Sequence, residues 1–98
     1  MELNKFEREI IIDKIKKLTE EKTSKINLKN IFYKDNLKPA IIKFTAAQNL
    51  TKSDPDKYKK LRTNKESASS LVTSCDIEIE LITDNINRLE EIIIANKF

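Results

Sequence analysis

Residues 64–96 read NKESASSLVTSCDIEIELITDNINRLEEIIIAN. Apolar or small residues recur there at Ala68, Val72, Cys75, Ile79, Ile82, Ile86, Leu89 and Ile93. The spacing alternates four and three, the heptad period of a helix that buries one stripe. Val72, Ile79, Ile86 and Ile93 occupy one core position of the repeat; Ala68, Cys75, Ile82 and Leu89 occupy the other. Asn96 continues the second set at the frayed end. A rival signal, Ile77-Glu78-Ile79-Glu80-Leu81, alternates with the period of a half-buried strand. Leu81-Ile82 breaks it at once, whereas the heptad persists, so the stretch is expected to be helix over about 65–96.

The seam is not that of a dedicated two-stranded zipper. Its flanks carry Asp76, Glu78, Thr83, Asn85 and Glu90 rather than the Glu/Lys pairs that select a partner strand. Ile77 and Leu81 lie on the opposite flank, and Leu71 and Ile92 widen the stripe. A helix apolar on more than one side packs on several neighbours, as in a bundle. About 30 helical residues span roughly 45 Å, whereas a compact chain of this size is about 32–35 Å across. Either the helix kinks or its end projects with Ile92, Ile93, Ile94 and Phe98 to be covered, and a second subunit or partner helix is the expected cover.

Upstream, Asn4 with Glu7 three residues on resembles a capping box opening a first helix over about 4–22. Leu3, Phe6, Ile10, Ile11, Ile15 and Leu18 form its apolar stripe, with Ile12 outside it and Glu7 and Lys14 inside. Thr23-Ser24 breaks that pattern, and a short helix over about 28–34 follows, with Leu28, Ile31 and Phe32 facing inward. The Lys38-Pro39 step ends it, because a residue before proline is pushed away from α geometry. Pro39 then opens a helix over about 39–50. Asp54 as N-cap and Pro55 at the first position start a basic helix over about 55–62, and Thr63-Asn64-Lys65-Glu66 reads as a capping box for the last one. The expectation is a single all-α domain, 1–98, built as a small bundle of about five helices. The first helix runs antiparallel to the long C-terminal one.

Composition supports the class. The 98 residues include no glycine, so tight hairpins, which draw on positive φ, are disfavoured. No histidine is present and Cys75 is the sole cysteine, so neither an internal disulfide nor a four-ligand zinc site can be assembled from those residues. The amino terminus lacks the signal-peptide pattern, and Ile92-Ile93-Ile94-Ala95 is far shorter than a membrane span. A soluble, cytoplasmic protein in a reducing compartment is the expectation. Ile, Lys and Asn number 15, 16 and 9, which points to an AT-rich gene from a low-GC bacterium, its phage or plasmid, or a virus of similar bias. The net charge of +3 is uneven: residues 1–65 carry 17 Lys/Arg against 9 Asp/Glu, and residues 66–98 carry 2 against 7. Such polarity can steer a fold-back, head-to-tail assembly or a polyanion to one end.

Chemistry-bearing patterns are few. Lys52, Lys57, Lys59, Lys60, Arg62 and Lys65 gather around Tyr58 and are candidate phosphate contacts. The plainer reading is a solvated helix face, and Asp54 and Asp56 occupy the N-terminus where a phosphate would sit. A helix-turn-helix over Ile31 to Leu50 would present only Lys43, Thr45, Gln48 and Asn49 to bases. Cys75 sits at a seam position and reads as a small buried hydrophobe, with no histidine to activate it. The first helix, with Lys14, Lys16, Lys17 and Lys22, has the bones of a membrane-surface helix, but its five acidic residues dilute that attraction.

No catalytic residue, metal site, cofactor or small-molecule substrate is expected. The function read from these patterns is a non-catalytic interaction or regulatory protein, of the size of phage- or mobile-element-encoded inhibitors of host proteins. It is expected to self-associate, most simply as a homodimer, through Val72, Ile79, Ile82, Ile86, Leu89, Ile93 and Phe98. The alternative is a basic helical regulator that binds nucleic acid through Lys52–Lys65.

Overall fold

The computed structural model describes residues 3–96, and every regular element among them is helical. Helix α1 spans Lys5–Phe32, a π-helical turn spans Tyr33–Leu37, and α2 spans Lys38–Ala46. A turn leads to the four-residue α3, Leu50–Ser53, and then to α4, Pro55–Ala95, of 41 residues. The first three elements are continuous, so the described residues form three helical runs, 5–46, 50–53 and 55–95, where the sequence predicts about five helices.

Each expected break that failed has a local cause. Thr23 does not end α1, because its hydroxyl donates to the Thr19 carbonyl at 3.0 Å, as Thr19 does to Ile15 at 2.8 Å. A hydroxyl bonded four residues back stays within the helix, and its propensity penalty is only about 0.5 kcal/mol. Thr63 does the same to Lys59, and Arg62 reaches Glu66, so the supposed capping box at 63–66 lies inside α4. At Pro39 the ring would strike the carbonyl four residues back and leave it without a donor. The preceding turn widens instead: the Lys38 N–H bonds to the Tyr33 carbonyl, five residues back, and Lys38 keeps α-helical φ −59° and ψ −48°.

The genuine caps are those with free backbone groups to satisfy. Asn4 Oδ1 accepts from the Glu7 N–H at 2.8 Å, and Asn4 Nδ2 donates to Glu7 Oε1 at 2.6 Å. Asp54 Oδ1 accepts from the Lys57 N–H at 3.1 Å, ahead of Pro55. The α2–α3 turn is made without positive φ, by Ala47 at φ −92° and ψ 5°, and the Leu50 N–H donates to the Ala47 carbonyl at 2.9 Å. Glycine is not needed there. Asn96 closes α4, its Nδ2 donating to the Ile92 carbonyl at 2.7 Å.

The chain divides into two compact units: residues up to 26 together with those from 77 on, and residues 27–76. In the first, α1 and α4 run antiparallel. Lys14 and Leu18 share a groove with Asn85, Arg88, Leu89 and Ile92, whereas Lys25, further along α1, pairs with Glu78 at 2.6 Å. Ile82 and Ile86 are buried here; Ile79, Leu89 and Ile93 on α4 and Ile11, Ile15 and Leu18 on α1 are half-buried. Burying such a side chain is worth about 1.5–3 kcal/mol.

The predicted α1 stripe is buried only in part, since Phe6 and Ile10 are exposed. A seam opposite a heptad must alternate threes and fours, and Arg8, Ile11, Ile15 and Leu18 do so. Phe6 and Ile10 lie beside that line, where one partner helix does not reach.

In the second unit Leu37, Ala47, Ala68 and Cys75 are buried. Phe44 and Tyr58 pack with ring centroids 5.3 Å apart, and the Lys65 ammonium sits 4.7 Å from the Phe44 centroid. Lys29 pairs with Asp76 at 2.5 Å.

Candidate functional site

The α4 seam is used by the chain itself. Ile82 and Ile86, each 8% exposed, lie in the unit whose other described helix is the first part of α1, and Ile82 lines a groove with Glu21 and Lys25 of that helix. Ile79, Leu89 and Ile93 are half-buried there, and Val72 is half-buried in the second unit. Phe98 lies outside the described residues. The less-than-full-burial row on α4 extends upstream of the stretch first read, through Lys65, Leu61 and Tyr58, in the same three-four spacing. The sequence concealed this because a lysine and a tyrosine hold two of the positions. The matching row on α1 is likewise masked, by Lys22, Lys25 and Lys29, all half-buried, of which Lys25 and Lys29 pair with Glu78 and Asp76.

What α1 does not cover is the flank. Leu81 and Ile92 on α4 and Ile10 on α1 are exposed on one side of the pair, Ile94 and Ile12 on the other, and Ile77 and Phe6 face away from the seam. A groove of about 440 Å³ runs along one side of the helix pair between Lys14 and Leu18 on α1 and Asn85, Arg88, Leu89 and Ile92 on α4. A second, of about 310 Å³, lies between Glu21 and Lys25 on α1 and Glu78, Leu81 and Ile82 on α4. Successive α4 residues 78, 85 and 92 are seven apart, so both grooves open on the same side. Their floor is apolar and their rims are charged. Such surfaces hold side chains of another helix; they offer no converging polar groups for a reaction.

The basic candidates do not form one face. At about 100° per residue, Lys57, Lys59, Lys60, Arg62 and Lys65 spread around the whole circumference of α4. Lys59, Lys60 and Arg62 are exposed; Lys65 is turned onto Phe44, and Arg62 Nε lies 3.9 Å from Glu66. Lys52 is exposed on α3. Lys57 instead lines a cleft of about 340 Å³ with Lys43, Ala46, Ala47, Leu50 and Leu61. The N-terminus of α4 is occupied by the Asp54 carboxylate, which leaves no room there for a phosphate. The 27–76 unit as a whole still carries 10 Lys/Arg against 5 Asp/Glu.

Cys75 is a buried thiol, 4% exposed. Among the described residues no three His, Cys, Asp or Glu side chains gather as a metal site, and no helix is long and apolar enough to cross a membrane.

The architecture defines an all-α chain of antiparallel helices with an apolar flank left open. No family model, curated protein or solved structure matches it.

Proposed function

We propose that this chain is a non-catalytic interaction protein that works by binding another macromolecule, a second copy of itself included. One observation carries the reading: no described large side chain is fully buried, while large apolar side chains stay open to water, Ile94 at 70% and Leu81 at 58% among them. Scattered exposed apolar residues are ordinary, but Leu81 and Ile92 also line open apolar-floored grooves beside the helix pair, and such a surface marks an interaction site. The end of α4, with Ile92 and Ile94, is the segment first expected to meet a partner.

Affinity capture from cells of the source organism, with brief crosslinking, tests this. The wild-type chain should retain a partner that Ile94→Asp loses while keeping its helical circular dichroism. A chain that captures nothing in excess of that variant, and that also stays monomeric at about 200 µM, would overturn the proposal.

A second reading, nucleic-acid binding, is favoured by the charge of the 27–76 unit. Duplex binding at low salt that weakens steeply with added salt, and that Lys59→Glu/Lys60→Glu/Arg62→Glu abolishes, would establish it. The spread of these residues around α4 argues for no sequence-specific binding.

A further inference from the structure

We infer that the grooved side of the α1–α4 pair is the contact between two copies of this chain, arranged antiparallel about a two-fold axis that crosses the groove. The inference rests on the interaction reading above and names its partner. Charge polarity along the groove is the ground for it. At one end Lys14 and Arg88 form the rim; at the other Glu21, Glu78 and Lys25 do, and since Lys25 pairs with Glu78 the acidic charge of that end is that of Glu21. Lys14, Glu21 and Arg88 form no ion pair with another described residue, whereas Glu78 holds Lys25. Lys14 and Glu21 are seven residues apart on one helix, so they share a face and lie about 10 Å from each other.

A two-fold axis perpendicular to the helices reverses each helix over its own copy. Set near Leu18, midway between Lys14 and Glu21, it lays Lys14 of each copy over Glu21 of the other. The same axis crosses α4 near Asn85, which lines one groove with Leu18, and so turns Arg88 toward the Glu78 end of the other copy's α4, about 6 Å short of Glu78 along the helix. The apolar floor at Leu18, Leu81, Leu89 and Ile92 is then closed by its own duplicate. The contact is isologous, as a closed dimer requires, and the product is a four-helix arrangement in that region. The parallel alternative would set basic end over basic end and acidic over acidic, and like charges oppose it.

The experiment is a charge swap read by sedimentation velocity. The wild type should dimerise at about 100 µM. Lys14→Glu sets two pairs of like charges across the axis, and so does Glu21→Lys; each alone should self-associate about tenfold more weakly, or less than that. An equimolar mixture of the two variants restores both opposite-charge pairs and should dimerise like the wild type. Both changes are on the helix surface, and unchanged circular dichroism checks that the fold is kept. A monomeric wild type overturns the inference, and capture of a different partner would then leave the interaction reading standing. A dimeric wild type whose variants associate as it does, or whose mixture shows no recovery, shows that the copies meet on another face.

Discussion

Pro39 stands inside a helical run because the turn before it opens to the π form, and that accommodation leaves a trace. Proline in a regular helix costs about 3 kcal/mol, and the widened turn over Tyr33–Leu37 recovers part of it. Pro39→Ala restores an N–H and removes the ring, at the expense of a looser unfolded chain. The variant should be more stable by about 1–2 kcal/mol, a rise in Tm measurable by circular dichroism; an unchanged or lower Tm would show that the π turn is preferred for its own packing. Burial sets a second contrast between neighbours. Ile82 is 8% exposed and Leu81 58%. Ile82→Ala should lose about 2–5 kcal/mol in urea titration, while Leu81→Ala should fall within about 0.5 kcal/mol at concentrations where the chain is monomeric. Equal losses would place Leu81 in a core.

Among the elements, α4 was legible from residue 65 onward, because Val72 through Ile93 are apolar at every seam position. Residues 55–62 read as a separate helix, since Thr63, Asn64 and Glu66 spell a cap. A cap has meaning only where backbone N–H groups lack partners, and nothing local in the sequence says whether the preceding turn already supplies them. The same ambiguity hid the length of α1. Its second half carries Lys22, Lys25 and Lys29 at seam positions, so an apolar count stops near Leu18 while the helix goes on to Phe32. Of the candidate surface, the sequence shows Ile77 and Leu81 as a second flank; the groove that Leu81 lines is not legible there, because it depends on which α1 residues face it. Where the cap was real, its removal has a cost. Asp54→Ala should destabilise α4 by about 0.5–2 kcal/mol, with hydrogen exchange accelerated first at Lys57, whose N–H loses the Asp54 carboxylate, and less at Tyr58, whose N–H bonds to the backbone carbonyl of residue 54. The seam ion pairs should matter less. Lys29 and Asp76 are 36% and 52% exposed, and a double-mutant cycle to alanine should give a coupling of about 1 kcal/mol or below.

For the whole molecule, the governing quantity is how little of its apolar surface the chain removes from water by itself. No described large side chain is fully buried, and the exposed set includes Phe6, Ile10, Ile77, Leu81 and Ile94. Net stability is a small difference between large opposing terms, so a chain with so shallow a core gains disproportionately from whatever covers its flank. Association that favours the folded form raises its stability with concentration by mass action. Raising the chain from about 2 µM to 200 µM should therefore lift Tm by about 5–10 °C, with steeper melts at the higher concentration. Lys14→Glu should lose most of that dependence while melting near the wild type's dilute-solution Tm. A wild-type Tm independent of concentration would mean that the pair of helices is stable with its flank in water, and the case for a second copy would fail on thermodynamic grounds.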